Sequence, residues 1–158
     1  IRRPLARGPA RSVLSPGPWG PGRPGACGEL VRRAGQRIPV LGVCLGMQVI
    51  AVESGARVAP SGRPVHGKTR WVEHDGSGCL RGLPSPLEVG LYHSLIVDPA
   101  SIDPDRLEIF GRSRDEGTVM AIRQPGRTVE GLLFHPESFL TACGEAILAR
   151  FLRGSHVE

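Results

Sequence analysis

Pro39-Val40-Leu41-Gly42-Val43-Cys44-Leu45-Gly46-Met47-Gln48-Val49-Ile50 decides how the rest of the chain is read. Its first half is a short apolar run after a proline, the pattern of a buried strand. Its second half runs on through Ala51-Val52-Glu53-Ser54 and is compatible with a helix that Gly55 would end. At the junction a cysteine stands between two glycines, Gly42-Val43-Cys44-Leu45-Gly46. Strand, tight turn and helix with a nucleophile on the turn is the geometry of a nucleophile elbow. The flanking glycines are needed because a side chain there would meet the neighbouring strand or helix. The turn is expected to hold Cys44 in a strained backbone conformation that exposes its sulfur. A helix N-terminus behind that sulfur is expected to favour thiolate over thiol.

Composition narrows the setting. The 158 residues suit one domain with one real core. No apolar run approaches the roughly 18 residues of a membrane span, and no signal-peptide hydrophobic region is present. Cys27, Cys44, Cys79 and Cys143 are widely scattered with no Cys-x-x-Cys pair. That argues against a zinc site or a disulfide framework and for a reducing cytoplasm. The net charge of +5 is misleading. Arg2, Arg3, Arg7, Arg11, Arg23, Arg32, Arg33 and Arg37 stand against Glu29 alone in the first 37 residues, and the remainder is slightly acidic. A nucleic-acid protein would spread its positive charge over a folded face and interleave aromatics, so neither nucleic acid nor membrane is expected as a partner.

Residues 1–12 read as an unstructured or atypical leader, 13–153 as the domain and 154–158 as a tail. Residues 13–14 form a very short strand that runs into the proline- and glycine-rich stretch 16–25. A short helix follows at 29–34, then the strand and elbow. Residues 56–59, 65–74, 87–97, 107–113, 119–124 and 128–134 are strand candidates, and Gln124-Pro125-Gly126-Arg127 is a hairpin turn. Cys79-Leu80-Arg81-Gly82-Leu83 suggests a helical turn. Leu140, Cys143, Ile147, Leu148 and Phe151 share one face of a closing helix. The fold class is α/β: a three-layer, mostly parallel open sheet with flanking helices and an antiparallel extension.

Leu132-Leu133-Phe134-His135-Pro136-Glu137-Ser138 is the second informative stretch. An apolar strand delivers His135 at its end, where the sites of open α/β sheets lie. Pro136 biases His135 toward extended geometry, in which Glu137 points the same way as the imidazole. A carboxylate there fixes the tautomer and stabilises the imidazolium formed in turnover. A thiol nucleophile, a distant histidine and an acid that orients it make a triad.

Residues 39–48, Leu91-Tyr92-His93-Ser94-Leu95 and Phe134-His135-Pro136-Glu137-Ser138 together resemble the class I glutamine amidotransferases. The similarity is strongest to the amidotransferase subunits of anthranilate synthase and aminodeoxychorismate synthase, and it covers residues 13–153. Leu14-Ser15-Pro16-Gly17-Pro18, His66-Gly67-Lys68-Thr69 and Leu140-Thr141 agree with it. The resemblance implies a flavodoxin-like half to the fold and hydrolysis of L-glutamine to glutamate and ammonia. Cys44 would attack the carboxamide, His135 would move the proton and Glu137 would orient it. The amides of Leu45 and of the Gly17 loop would hold the oxyanion. Gly17, Pro18, Trp19, Gln48, Ser94 and Leu95 match positions that hold glutamine. His93 would brace the Ser94 loop, and His66-Gly67-Lys68 is either near a partner or an ordinary turn. His74 and His156 stand outside any motif and are expected to be solvated. No metal or organic cofactor is implied, and the ammonia would pass to a chorismate-using synthase subunit.

Three features depart from the family pattern. Residues 1–12 stand where the family has a strand, a helix and a second strand, which would leave residues 13–14 as a raw apolar sheet edge prone to aggregation. Trp19 replaces a glycine of the oxyanion loop, and Met47 replaces a histidine with a packing role. A catalytically poor remnant that acts only by binding, and a cysteine hydrolase of γ-glutamyl peptides, are the alternative readings.

Overall fold

The structure, a computed structural model, describes residues 8–15 and 25–154. In chain order the elements are β1 (Ser12–Leu14), α1 (Gly25–Ala34), β2 (Val40–Val43), α2 (Leu45–Glu53), β3 (Val58–Pro60), β4 (Lys68–His74), β5 (Leu87–Leu91), β6 (Leu95–Val97), β7 (Glu108–Ser113), β8 (Val119–Arg123), β9 (Val129–Leu132) and α3 (Gly144–Arg153). Seven strands form one sheet in the order β1-β2-β9-β8-β7-β4-β5, and β3 pairs with β6 in a separate ribbon. The pairings β1–β2 and β2–β9 are parallel; those from β9 through β8, β7 and β4 to β5 are antiparallel. The α/β class and the antiparallel extension are as expected. The sheet is mixed rather than mostly parallel, because the hairpin-linked strands of the second half outnumber the parallel ones.

The parallel half carries the site. All four residues of β2 and of β9 are buried, since both faces are covered. On one face α2 lies unusually close. A Cβ at Gly42 would come within 2.5 Å of the Gly46 carbonyl carbon and 2.7 Å of Ile50 Cδ1, and one at Gly131 within 2.9 Å of Met47 Cγ. Met47 is fully buried in this contact, which is the packing role its sequence position suggested. The preceding residue of β9, Glu130, faces the opposite side and accepts the Cys79 N–H at 2.9 Å. There the 3-10 turn Gly78–Leu80 packs with α3, which completes the third layer. The buried core runs from Leu14 and Val31 through β2, α2 and β9 to Phe151.

Several local expectations change. The run 87–97 is two strands in different sheets: β5 pairs with β4 through Leu91, and β6 crosses to β3. No glycine or proline stands at 92–94 to mark the break. β4 begins at Lys68, after Gly67 turns the chain with φ +65°, and α1 begins one turn before Glu29. His74 is tied into a turn instead of solvated. The Gly76 N–H donates to its Nδ1 at 3.1 Å, and its Nε2 donates to the Pro84 carbonyl at 2.9 Å. Among the described residues β1 ends the sheet, with Val13 exposed on it. The expectations for 1–7, 16–24 and 155–158, His156 included, lie outside the described residues.

Candidate active site

Cys44 sits between β2 and α2 with φ +52° and ψ −102°, and no other described non-glycine residue has a positive φ. Such a conformation costs on the order of 1–3 kcal/mol and persists only where its surroundings fix it. Here the Cys44 N–H donates to the Leu132 carbonyl at 2.7 Å, and the Cys44 carbonyl accepts the Gln48 N–H at 3.1 Å. The elbow is thus pinned to the adjacent strand and to the first turn of α2. The strain matches the expectation; the exposure does not. Cys44 is only 8 % exposed. Burial pushes its thiol above the usual range, the Leu45 N–H directed at it pulls the other way, and the Glu137 carboxylate adds to the rise. Desolvation therefore outweighs the helix terminus, and the resting sulfur is a thiol rather than the thiolate expected from sequence.

His135 follows the end of β9, next to the end of β2, so cysteine and histidine share the carboxyl rim of two adjacent parallel strands. Its Nδ1 bonds Glu137 Oε1 at 2.6 Å, a short contact. With Nδ1 so engaged, Nε2 is left buried without a hydrogen-bond partner among the described residues. An unpaired nitrogen in that position is able to take or return a proton. The Tyr92 ring stands edge-on to the imidazole, with centroids 5.1 Å apart, and its hydroxyl pairs with Ser138 Oγ at 3.1 Å. The Glu137 carboxylate that His135 bonds also acts electrostatically on Cys44.

The expected glutamine-holding residues divide. Gln48 is buried on α2 and donates from Nε2 to the Leu95 carbonyl at 3.4 Å, which joins α2 to the start of β6. Ser94 is exposed beside it and Leu95 is half-buried. Gly17, Pro18 and Trp19 lie outside the described residues, so on the oxyanion side only Leu45 is described. His93 is buried with both ring nitrogens lacking a hydrogen-bond partner among the described residues, and its carbonyl accepts the Val65 N–H at 2.9 Å. Burial lowers its pKa, while the Leu95 main chain, facing the ring outside hydrogen-bonding geometry, opposes the shift. Its main chain, not its ring, ties the 92–94 segment to Val65. Sequence reasoning gave Tyr92 and Thr141 no role of their own; the only signal was their place within motif stretches.

These features put a strained cysteine and a histidine–glutamate pair on one α/β rim, and the comparisons give the family. The family described as Glutamine amidotransferase class-I matches residues 2–154, and the chain belongs to that family, whose enzymes hydrolyse glutamine. It is similar to the aminodeoxychorismate synthase component 2 of Klebsiella aerogenes, 43 % identical over 148 residues that cover 94 % of this chain and 78 % of that one. It is similar also to the anthranilate synthase component 2 of Thermus thermophilus, 42 % identical over 146 residues that cover 91 % and 70 %. Among solved structures, a putative GMP synthase subunit from Thermoplasma acidophilum superposes with a TM-score of 0.82. That match is 26 % identical and covers 97 % of this chain and 76 % of that one.

Proposed function

We propose that this class I glutamine amidotransferase cleaves glutamine by attack of Cys44 on the side-chain carboxamide and hands the ammonia to a chorismate-using synthase subunit. What supports the reading is a strained elbow cysteine at the end of β2 and, beyond the end of the adjacent β9, a His135–Glu137 pair whose buried Nε2 has no hydrogen-bond partner among the described residues. His135 takes the thiol proton as the sulfur adds to the carboxamide carbon. The Leu45 N–H stabilises the oxyanion, a contribution of about 3 kcal/mol for one such donor. His135 then returns the proton to nitrogen, ammonia leaves and a thioester remains. Water, deprotonated by the same nitrogen, attacks the thioester; glutamate departs and the thiol is restored. Glu137 holds the imidazole throughout.

The names of the two relatives support a synthase as recipient. The buried, protonated Cys44 supports a chain that is slow alone and faster when a partner engages the rim. Phe139 is 90 % exposed two residues beyond Glu137 and offers such a partner an apolar anchor. The test is glutamate release by the wild type and by Cys44→Ala, each alone and with either synthase. Release that depends on Cys44 and rises with one synthase is expected, and that synthase names the pathway. Equal background rates for the two proteins would leave only a binding role.

A further inference from the structure

His135 is held not only by its ring but by a closed circuit of three hydrogen bonds through its main chain. The His135 N–H donates to the Gly90 carbonyl at 3.1 Å, and the Gly90 N–H donates to Thr141 Oγ1 at 2.9 Å. The Thr141 hydroxyl closes the circuit by donating to the His135 carbonyl at 2.8 Å. Thr141 is buried, and one oxygen both accepts and donates. Only a hydroxyl can fill both roles at that point. Gly90 has no freedom to shift toward the turn: a Cβ there would lie 2.7 Å from Leu140 Cβ and 3.2 Å from Ser138 Oγ. It belongs to β5, which the Lys68–Leu91 to Val72–Leu87 register locks to β4. The circuit thus ties the 135–141 turn, whose own bonds run from the Ser138 N–H to the His135 carbonyl and from the Thr141 N–H to the Ser138 carbonyl, to a strand paired along its length.

We propose that Thr141 is a positioning residue for glutamine hydrolysis: through this circuit it sets the His135 main chain and so the direction of the unpartnered Nε2. The inference rests on the acid–base role given to His135 above. Thr141 touches no reacting atom. Replacing its hydroxyl with a methyl removes both hydrogen bonds: the buried Gly90 N–H loses its acceptor, and the His135 carbonyl keeps only the Ser138 N–H at 3.1 Å. The 135–141 turn, not β5, relaxes to recover them. Misplacement of a catalytic group by an ångström is enough to slow chemistry by about a hundredfold. The glutamine-holding side, built from α2 and β6, stays where it was.

The experiment measures kcat and KM for glutamine in the full chain for the wild type, Thr141→Val, Thr141→Ser, His135→Gln and Cys44→Ala, with melting checked for each. Thr141→Val is expected to lower kcat by roughly tenfold to a hundredfold, with KM within about twofold. Thr141→Ser, which keeps both bonds, is expected to restore kcat to within about threefold. An unchanged kcat in Thr141→Val, a loss expressed in KM, or a serine variant as slow as the valine one would each overturn the proposal. Thr141→Ala replaces the valine variant if that protein does not fold, and failure of both to fold assigns the hydroxyl to stability and overturns it too. If His135→Gln or Cys44→Ala matches the wild type, the triad reading itself falls. If both lose activity while Thr141→Val does not, only the positioning role falls.

Discussion

Glycine serves different ends in the two halves of this sheet. Around the parallel strands, Gly42, Gly46, Gly131 and Gly144 have ordinary backbone angles but no room for a methyl group. An added Cβ would press on Gly46 and Ile50, on the Leu14 carbonyl, on Met47 and on the Pro136 carbonyl respectively. In the antiparallel half Gly90 and Gly111 are crowded as well, but the turn glycines Gly76 and Gly126 take φ of +74° and +68°, and a Cβ there would meet nothing within 4 Å. The catalytic rim is therefore shaped by how closely backbones approach, and the periphery by how the chain reverses. A rim of the first kind yields little to added volume, whereas a turn of the second kind accepts it at a modest conformational cost.

Substitutions can break or sharpen that contrast. Gly144→Ala should have the largest effect, because the Pro136 carbonyl it meets is main chain held beside His135. A loss above about 3 kcal/mol in urea unfolding is expected, together with loss of glutamine hydrolysis. Near-native stability would end the claim that close approach shapes the rim. Glu137→Gln separates chemistry from space at the same rim: kcat should fall by about a hundredfold to ten-thousandfold while the melting temperature stays put. The thiol gives a pH test. Cys44 ionises at higher pH folded than unfolded, so its contribution to stability is complete below the unfolded thiol pKa of about 8.5 and is lost as pH rises through the folded value. The wild type should lose stability more steeply than Cys44→Ala above that pH, as read from denaturation midpoints; parallel curves would contradict it. Smallest of all, Gly126→Ala should cost about 1 kcal/mol for a left-handed alanine and leave turnover untouched.

Much of the rim was legible in the sequence because its requirements are local. Gly42, Cys44 and Gly46 fall at the spacing an elbow demands, and Pro136 and Glu137 fix how His135 is presented. Burial of Cys44 was not legible, since it depends on how tightly α2 and β9 close over the sulfur. Neither was the break at 92–94, where Tyr92-His93-Ser94 joins two apolar stretches without a glycine or proline to mark the change of sheet. The Thr141 circuit was invisible for a related reason: Gly90 and Thr141 lie 45 and 6 residues from His135 along the chain, and the three meet only after β5 and the 135–141 turn have docked. His74 shows the reverse error, a histidine without a motif whose neighbours in a short turn satisfy both ring nitrogens.

The sheltered state of Cys44 carries a benefit unrelated to speed. Peroxides and stray electrophiles react with exposed thiolates, and a sulfur that keeps its proton and is shut away from water offers them little purchase. A chain that must idle between encounters with its substrate can therefore keep its one indispensable atom in the reduced form.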